Sequence, residues 1–167
     1  NNIGNIYREQ GNNNDAIAAY KKAFAINPEL DNTRHFLNAL NGITSDKAPR
    51  RYVERVFNKY AKGFEHDLVE NLCYDTPLLL KNKLSELNLR VKQYTSCVDL
   101  GCGTGLAGKA FRDQVQNLIG IDLSKNMINE ARKKGVYDTL IVNDIIEGLE
   151  SLQLNFELIL CTDTLVY

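Results

Sequence analysis

The chain has 167 residues, 44% apolar and 25% charged, with a net charge of −1. That composition fits a globular protein and excludes the charge-rich, core-poor make-up of disordered chains. No apolar run approaches the ~20 residues that span a bilayer and none resembles a signal peptide, so a cytoplasmic chain without a membrane span is expected. The charge is unevenly spread: residues 96–167 carry six basic and ten acidic side chains. A nucleic-acid grip there is not expected, because a phosphate backbone needs a basic face. The four cysteines, Cys73, Cys97, Cys102 and Cys161, form no Cys-x-x-Cys pair, and only two histidines are present, His35 and His66. Reduced thiols are expected rather than a structural metal site.

In chain order, the first pattern is a spacing of Ile3, Gly4, Tyr7, Gly11, Ala16, Tyr20, Ala23 and Pro28. Small residues at Gly4 and Ala16 allow two helices to approach closely, Tyr7 and Tyr20 fill the space between them, and Pro28 stops the second. This segment resembles a tetratricopeptide repeat. Residues 30–40 read as one more helix, with Phe36, Leu37 and Leu40 on one face. A repeat of this kind buries its face by stacking on neighbours, so one repeat, one extra helix and no initiator Met predict a longer array cut at the N-terminus. Such helices imply a protein partner.

Residues 44–49 are polar and end in Pro49, as a linker would. Val53, Val56, Phe57 and Tyr60 have helical spacing, and Phe64, Leu68 and Leu72 continue it. Asp75-Thr76-Pro77 predicts a helix start, with a capping side chain before a proline in the first turn.

Residues 96–100 then form a short apolar strand that runs into Gly101-Cys102-Gly103-Thr104-Gly105, with a helix from Leu106. A strand, a glycine-rich turn and a helix make a nucleotide-binding start. Gly103, Gly105 and Gly108 also satisfy the dinucleotide pattern G-x-G-x-x-G, and Asp122 follows near the spacing of a ribose-binding acid. Asp99 separates the two readings. A carboxylate just before the first glycine repels a pyrophosphate but attracts an ammonium or sulfonium group. The stretch from Asp99 to Gly105 resembles motif I of class I S-adenosylmethionine-dependent methyltransferases. The helices before the strand lid the cofactor in many members of that family, which makes Tyr60, Phe64 and His66 lid candidates.

The next strands, residues 118–121, 139–142 and 156–161, end at or near Asp122, Asp144 and Asp163. If helices connect these strands they are parallel, and the four aspartates share the edge where open α/β sheets bind ligands. The resemblance implies roles position by position. Gly101, Cys102, Gly103 and Gly105 line the methionine moiety, and Asp99 anchors the turn or the ammonium. Asp122 accepts the ribose hydroxyls, with Leu123 on one adenine face. Asp144 accepts from the adenine amino group, and Ile145 packs on the other face. Cys161 or Thr162 offers a backbone carbonyl. The catalytic base is unassigned, with Asp163, Tyr167 and His66 as candidates.

These observations predict an α/β fold with a partial, Rossmann-like parallel sheet of about four strands behind an all-α helical-repeat segment. The expected divisions are residues 1–43, 44–95 and 96–167. The family's domains continue past the fourth strand. The sequence therefore predicts a fragment, inactive alone, whose open fourth-strand edge self-associates. The expected function is methyl transfer from S-adenosylmethionine to a small molecule or a protein. The alternatives are a peptide-binding repeat scaffold with an inert nucleotide fold, or an NAD-dependent oxidoreductase.

Overall fold

In the computed structural model, residues 2–28, 30–43, 48–87 and 93–164 are described. The chain divides into two units, the first reaching Val53 and the second running from Glu54. The division falls inside a helix, later than the expected boundary at residue 43. Most of the linker read at residues 44–49 lies outside the described residues.

The first unit begins with a helical hairpin of α1 (Asn2–Glu9) and α2 (Asn13–Ile26). Its close approach has the expected cause: a Cβ on Gly4 would stand 2.6 Å from the ring of Tyr20, so the ring occupies space that only glycine leaves. Ala16 and Tyr20 are fully buried, and the Tyr20 hydroxyl donates to Asn5 Oδ1 at 2.7 Å. The third helix, α3 (Asp31–Leu40), stacks Phe36 on Tyr20 with ring centroids 5.6 Å apart. Leu37, Leu40, Tyr7 and Tyr52 surround that buried cluster, which is the face expected from spacing. The Arg8 guanidinium lies 4.1 Å above the Phe36 ring, a cation–π contact.

The fourth helix, α4 (Arg50–Tyr60), leads out of the first unit and does not continue as the apolar spacing suggests. A turn at residues 61–63 interrupts it, and His66–Asn71 is a π-helical stretch. Gly63 is a weak helix former inside the run, and the turn there resets the helical phase, so Leu72 ends up exposed. Helix α5 (Thr76–Glu86) starts where expected, with Pro77 in its first turn. Asp75 makes no side-chain cap bond, in contrast to the sequence expectation. Its backbone (φ −127°, ψ 10°) is not in the extended conformation that aims a cap at the first turn.

The second unit is built on four parallel strands: β1 (Tyr94–Leu100), β2 (Val115–Asp122), β3 (Thr139–Val142) and β4 (Leu158–Leu160). They lie in the order β3-β2-β1-β4. The crossovers run through α6 (Leu106–Phe111), α7 (Lys125–Lys134) and α8 (Ile145–Leu152). Strands β1 and β2 start earlier than their apolar runs suggest, because Tyr94 and Ser96 pair in register with Val115 and Asn117. Strand β4 is shorter than the expected residues 156–161. It pairs with β1 through Cys97–Leu158 to Asp99–Leu160, and no described strand lies on its other side.

Alternation along β1 distributes the core. Cys97 packs with Phe111, Leu118 and Leu160 on the α6 side, whereas Val98 and Leu100 pack with Ile121 and the apolar side of α8. By the same two-residue period, Asp99 shares the face of Cys97. A carboxylate is thereby turned inward, at the end of the strand that leads into the glycine-rich turn.

Candidate functional site

The turn after β1 is held from below and from the side. The Cys102 backbone N–H donates to the Ile121 carbonyl at 3.0 Å, and the Gly105 N–H to the Cys102 carbonyl at 2.8 Å. Asp122, at the end of β2, receives the Gly103 N–H at 2.8 Å on one carboxylate oxygen and the Ser124 N–H at 2.7 Å on the other. Ser124 caps α7 by accepting from the Met127 N–H. One aspartate therefore ties the turn to the start of α7. Its carboxyl is held above the usual range chiefly by burial, against which the two N–H donors work.

The glycines of the turn face different things. A Cβ on Gly101 would meet Thr164 at 2.3 Å, and one on Gly105 would meet Tyr137 at 2.9 Å. A Cβ on Gly103 meets nothing closer than the edge of Phe64 at 3.9 Å, and the backbone there has φ +54°. Gly103 is thus the glycine of the turn where a Cβ would meet the loosest contact. Gly108, which completes the dinucleotide-like pattern, would place its Cβ 2.3 Å from Tyr137. Gly105 and Gly108 make room for a tyrosine.

Asp99 is fully buried. Its Oδ2 accepts from the Tyr137 hydroxyl at 2.6 Å, and its Oδ1 has no hydrogen-bond partner among the described residues. Burial raises its carboxyl to about 6, with the charge of Asp122 adding to the effect and the Tyr137 bond opposing it. Burial also pushes the Cys97 thiol up to about 12 and the Cys102 thiol well above its ordinary value. Neither is a nucleophile at neutral pH.

Among the remaining expected residues, Leu123 is half-buried beside Asp122. Asp144 caps α8 by accepting from the Ile146 N–H at 3.0 Å, and Ile145 packs toward Val98, Leu100 and Ile121. Cys161 is half-buried after β4, and Asp163 is exposed with φ +53°. Next to them the Thr164 hydroxyl donates to the Leu100 carbonyl at 3.0 Å and seats itself over Gly101. The lid candidates separate. Phe64 faces Gly103, Tyr60 packs edge-on against Phe64, and His66 points away, paired with Glu70 on the surface. Tyr167, a candidate base, lies outside the described residues.

The sequence reading missed the residues that strap the α4 region onto the site. Asn58 Oδ1 accepts from the Ser124 hydroxyl at 2.8 Å and from the Asn126 N–H at 3.0 Å, at the start of α7. At the other end of α7, Lys134 pairs with Glu65 and donates to the Thr104 carbonyl at 2.8 Å. Pairings across such sequence distances leave no local pattern. Tyr137 was also missed, although a lone glycine inside a strand, Gly120, signals a close neighbour. A Cβ on Gly120 would lie 2.9 Å from the Tyr137 ring.

A parallel sheet in this order, with a glycine-rich turn after its first strand and acids at its carboxyl edge, defines a Rossmann-like fold. The family comparison agrees. Residues 97–167 match the methyltransferase domain family, and residues 4–35 match the TPR repeat family. The repeat match precedes the methyltransferase-domain match along the chain. It is 36% identical over 52 residues to the 18S rRNA (guanine-N(7))-methyltransferase of Bos taurus, covering 31% of this chain and 18% of that protein. It is 27% identical over 105 residues to the biotin biosynthesis bifunctional protein BioHC of Saccharophagus degradans, covering 62% and 18%. The chain thus spans less than a fifth of the curated relatives it matches. Among solved structures, magnesium protoporphyrin IX methyltransferase of Synechocystis with bound SAM aligns at 17% identity and a TM-score of 0.45. That alignment covers 74% of this chain and 66% of the other. Among the described residues, no helix is long and apolar enough to cross a membrane.

Proposed function

We propose that the second unit binds S-adenosylmethionine at the carboxyl edge of its sheet and belongs to an enzyme that transfers the methyl group to an acceptor. When bound, this cofactor supplies an electrophilic methyl carbon for in-line displacement. The observation that carries the reading is the turn itself: a Cβ on Gly103 would meet only loose contact with Phe64, and two carboxylates, the buried Asp99 and the half-buried Asp122, stand close to it. A cation-bearing ligand suits that charge, and a pyrophosphate does not. The dinucleotide-like glycine spacing no longer argues for NAD, because Gly105 and Gly108 are accounted for by Tyr137.

Within this reading Gly101, Cys102, Gly103 and Gly105 form the methionine cradle and Asp99 supplies negative charge beneath it. Asp122 keeps lone pairs for ribose hydroxyls beyond its two backbone donors, since an ionised carboxylate accepts about four hydrogen bonds. Leu123 provides an apolar wall for the adenine, and Asp144 keeps its second oxygen for the amino group. Phe64 covers the cradle. The protein's main contribution is to hold donor and acceptor in contact and in line, an effect worth several kcal/mol. The tetratricopeptide repeat is the docking part for a protein partner, with Ile3 and Ile6 exposed along α1. The four free cysteines support a reducing, cytoplasmic setting.

The assignment of Asp122 has a direct test. Asp122→Ala removes hydrogen bonds to a charged group, worth ~1.5–3 kcal/mol, and frees the Gly103 N–H. The dissociation constant for S-adenosylhomocysteine, measured by calorimetry, should rise at least tenfold. An unchanged constant rules out the ribose role.

A further inference from the structure

Tyr137 sits in the segment between α7 and β3, outside every motif that the sequence reading singled out. Its ring fills the space that Cβ atoms on Gly105, Gly108 and Gly120 would enter, at 2.9, 2.3 and 2.9 Å. Those glycines belong to the turn, to α6 and to β2, so a single ring sets the separation of three parts of the site. Its hydroxyl donates to Oδ2 of the buried Asp99 at 2.6 Å. That is the length of a bond donated to a charged oxygen.

We propose that Tyr137 is a positioning residue of the cofactor site. Its hydroxyl holds Asp99 as a carboxylate under the glycine-rich turn, and its ring fixes the height of the turn over the sheet. This inference rests on the proposed cofactor reading and extends it to a group that does not touch the cofactor. Removing the hydroxyl leaves a buried carboxylate without its donor. Such a group takes up a proton more readily, and the negative charge beneath the cradle is lost at a higher pH.

The groups facing Asp99 can be named from each neighbouring element. They are Tyr137 before β3, Cys97 on β1, Cys102 in the turn, Asp122 at the end of β2, and the Gly108 backbone N–H on α6. Both thiols stay protonated at neutral pH. Asp99 and Asp122, with the Glu65–Lys134 pair at Thr104, are then the titratable groups near the turn, and variants at Asp99 separate its share.

The experiment is S-adenosylhomocysteine affinity by calorimetry from pH 5 to pH 8, for wild type, Tyr137→Phe, Asp99→Asn and the double variant. Wild-type affinity should fall as pH drops through about 6, where Asp99 protonates. In Tyr137→Phe that fall should begin about one pH unit higher, with affinity at pH 7 reduced about twofold. In Asp99→Asn this pH dependence should flatten, and adding Tyr137→Phe should then cost the affinity little more, because no charge remains for the hydroxyl to hold. Losses that add in the double variant, or a Tyr137→Phe profile parallel to wild type at every pH, overturn the proposal and reduce Tyr137 to packing. A wild type that binds no S-adenosylhomocysteine at any pH overturns the cofactor reading itself, and the role of Tyr137 with it.

Discussion

Gly103→Val should abolish S-adenosylhomocysteine binding in a domain that still folds. The backbone at Gly103 has φ +54°, and a side chain there would have Phe64 at 3.9 Å as its nearest neighbouring side chain. The valine methyl groups would project into the cradle without striking the core. A branched residue at positive φ costs about 1–2 kcal/mol, which should lower the melting temperature without unfolding the chain. Gly108→Val provides the contrast. Its Cβ would lie 2.3 Å from the Tyr137 ring, so that variant should lose the fold along with the ligand. Thermal melts by circular dichroism and calorimetric titration separate the two outcomes. Normal binding by Gly103→Val would mean that the turn is not the cofactor cradle.

Asp99→Asn should make the protein more stable and the cofactor site weaker. Burial raises the Asp99 carboxyl from 3.8 to about 6 in the folded chain. A carboxyl raised on folding contributes stability that is fully present below the unfolded value and is lost as pH rises through the folded value. Above about pH 6 the charged Asp99 therefore costs the fold ~3 kcal/mol, at 1.36 kcal/mol for each unit. Asparagine carries no charge and still accepts from Tyr137, but it brings an amide N–H group that needs a partner. A net gain of about 1–2 kcal/mol at pH 8, shrinking to none near pH 4, is the expected result of denaturant unfolding. The same variant should bind S-adenosylmethionine about tenfold more weakly, ~1.4 kcal/mol, and should not gain a strong NAD site. Strained or charged groups retained at the expense of stability are a mark of functional sites. A variant that is less stable at pH 8 than wild type contradicts the view that Asp99 is kept for its charge.

Much of the architecture was legible because its signals are local. Glycine, proline and aromatic spacings placed the helical hairpin, and Gly4 and Tyr20 meet as their sizes require. Apolar runs ending in aspartates placed the parallel strands and the edge that they share. The glycine-rich turn is read by a ligand through backbone that side chains cannot obstruct, so its residue types are visible in sequence. What was not legible depends on groups distant along the chain. The Asn58 and Lys134 bonds join segments 66 to 69 residues apart. Asp99 could be identified as an acid at a strand end, but not as one fully buried, because that depends on the ring of Tyr137. The break after Tyr60 was missed because apolar spacing carries across Gly63 while the helix does not.

The central claim is that the glycine-rich turn, backed by Asp99 and Asp122, takes a cationic adenosyl ligand and not a pyrophosphate. Calorimetric titration of the purified protein with S-adenosylhomocysteine, and separately with NAD, tests it most directly. Saturable binding of S-adenosylhomocysteine that is lost in Gly103→Val is expected, with no measurable heat from NAD at the same concentrations. Tighter binding of NAD than of S-adenosylhomocysteine would contradict it.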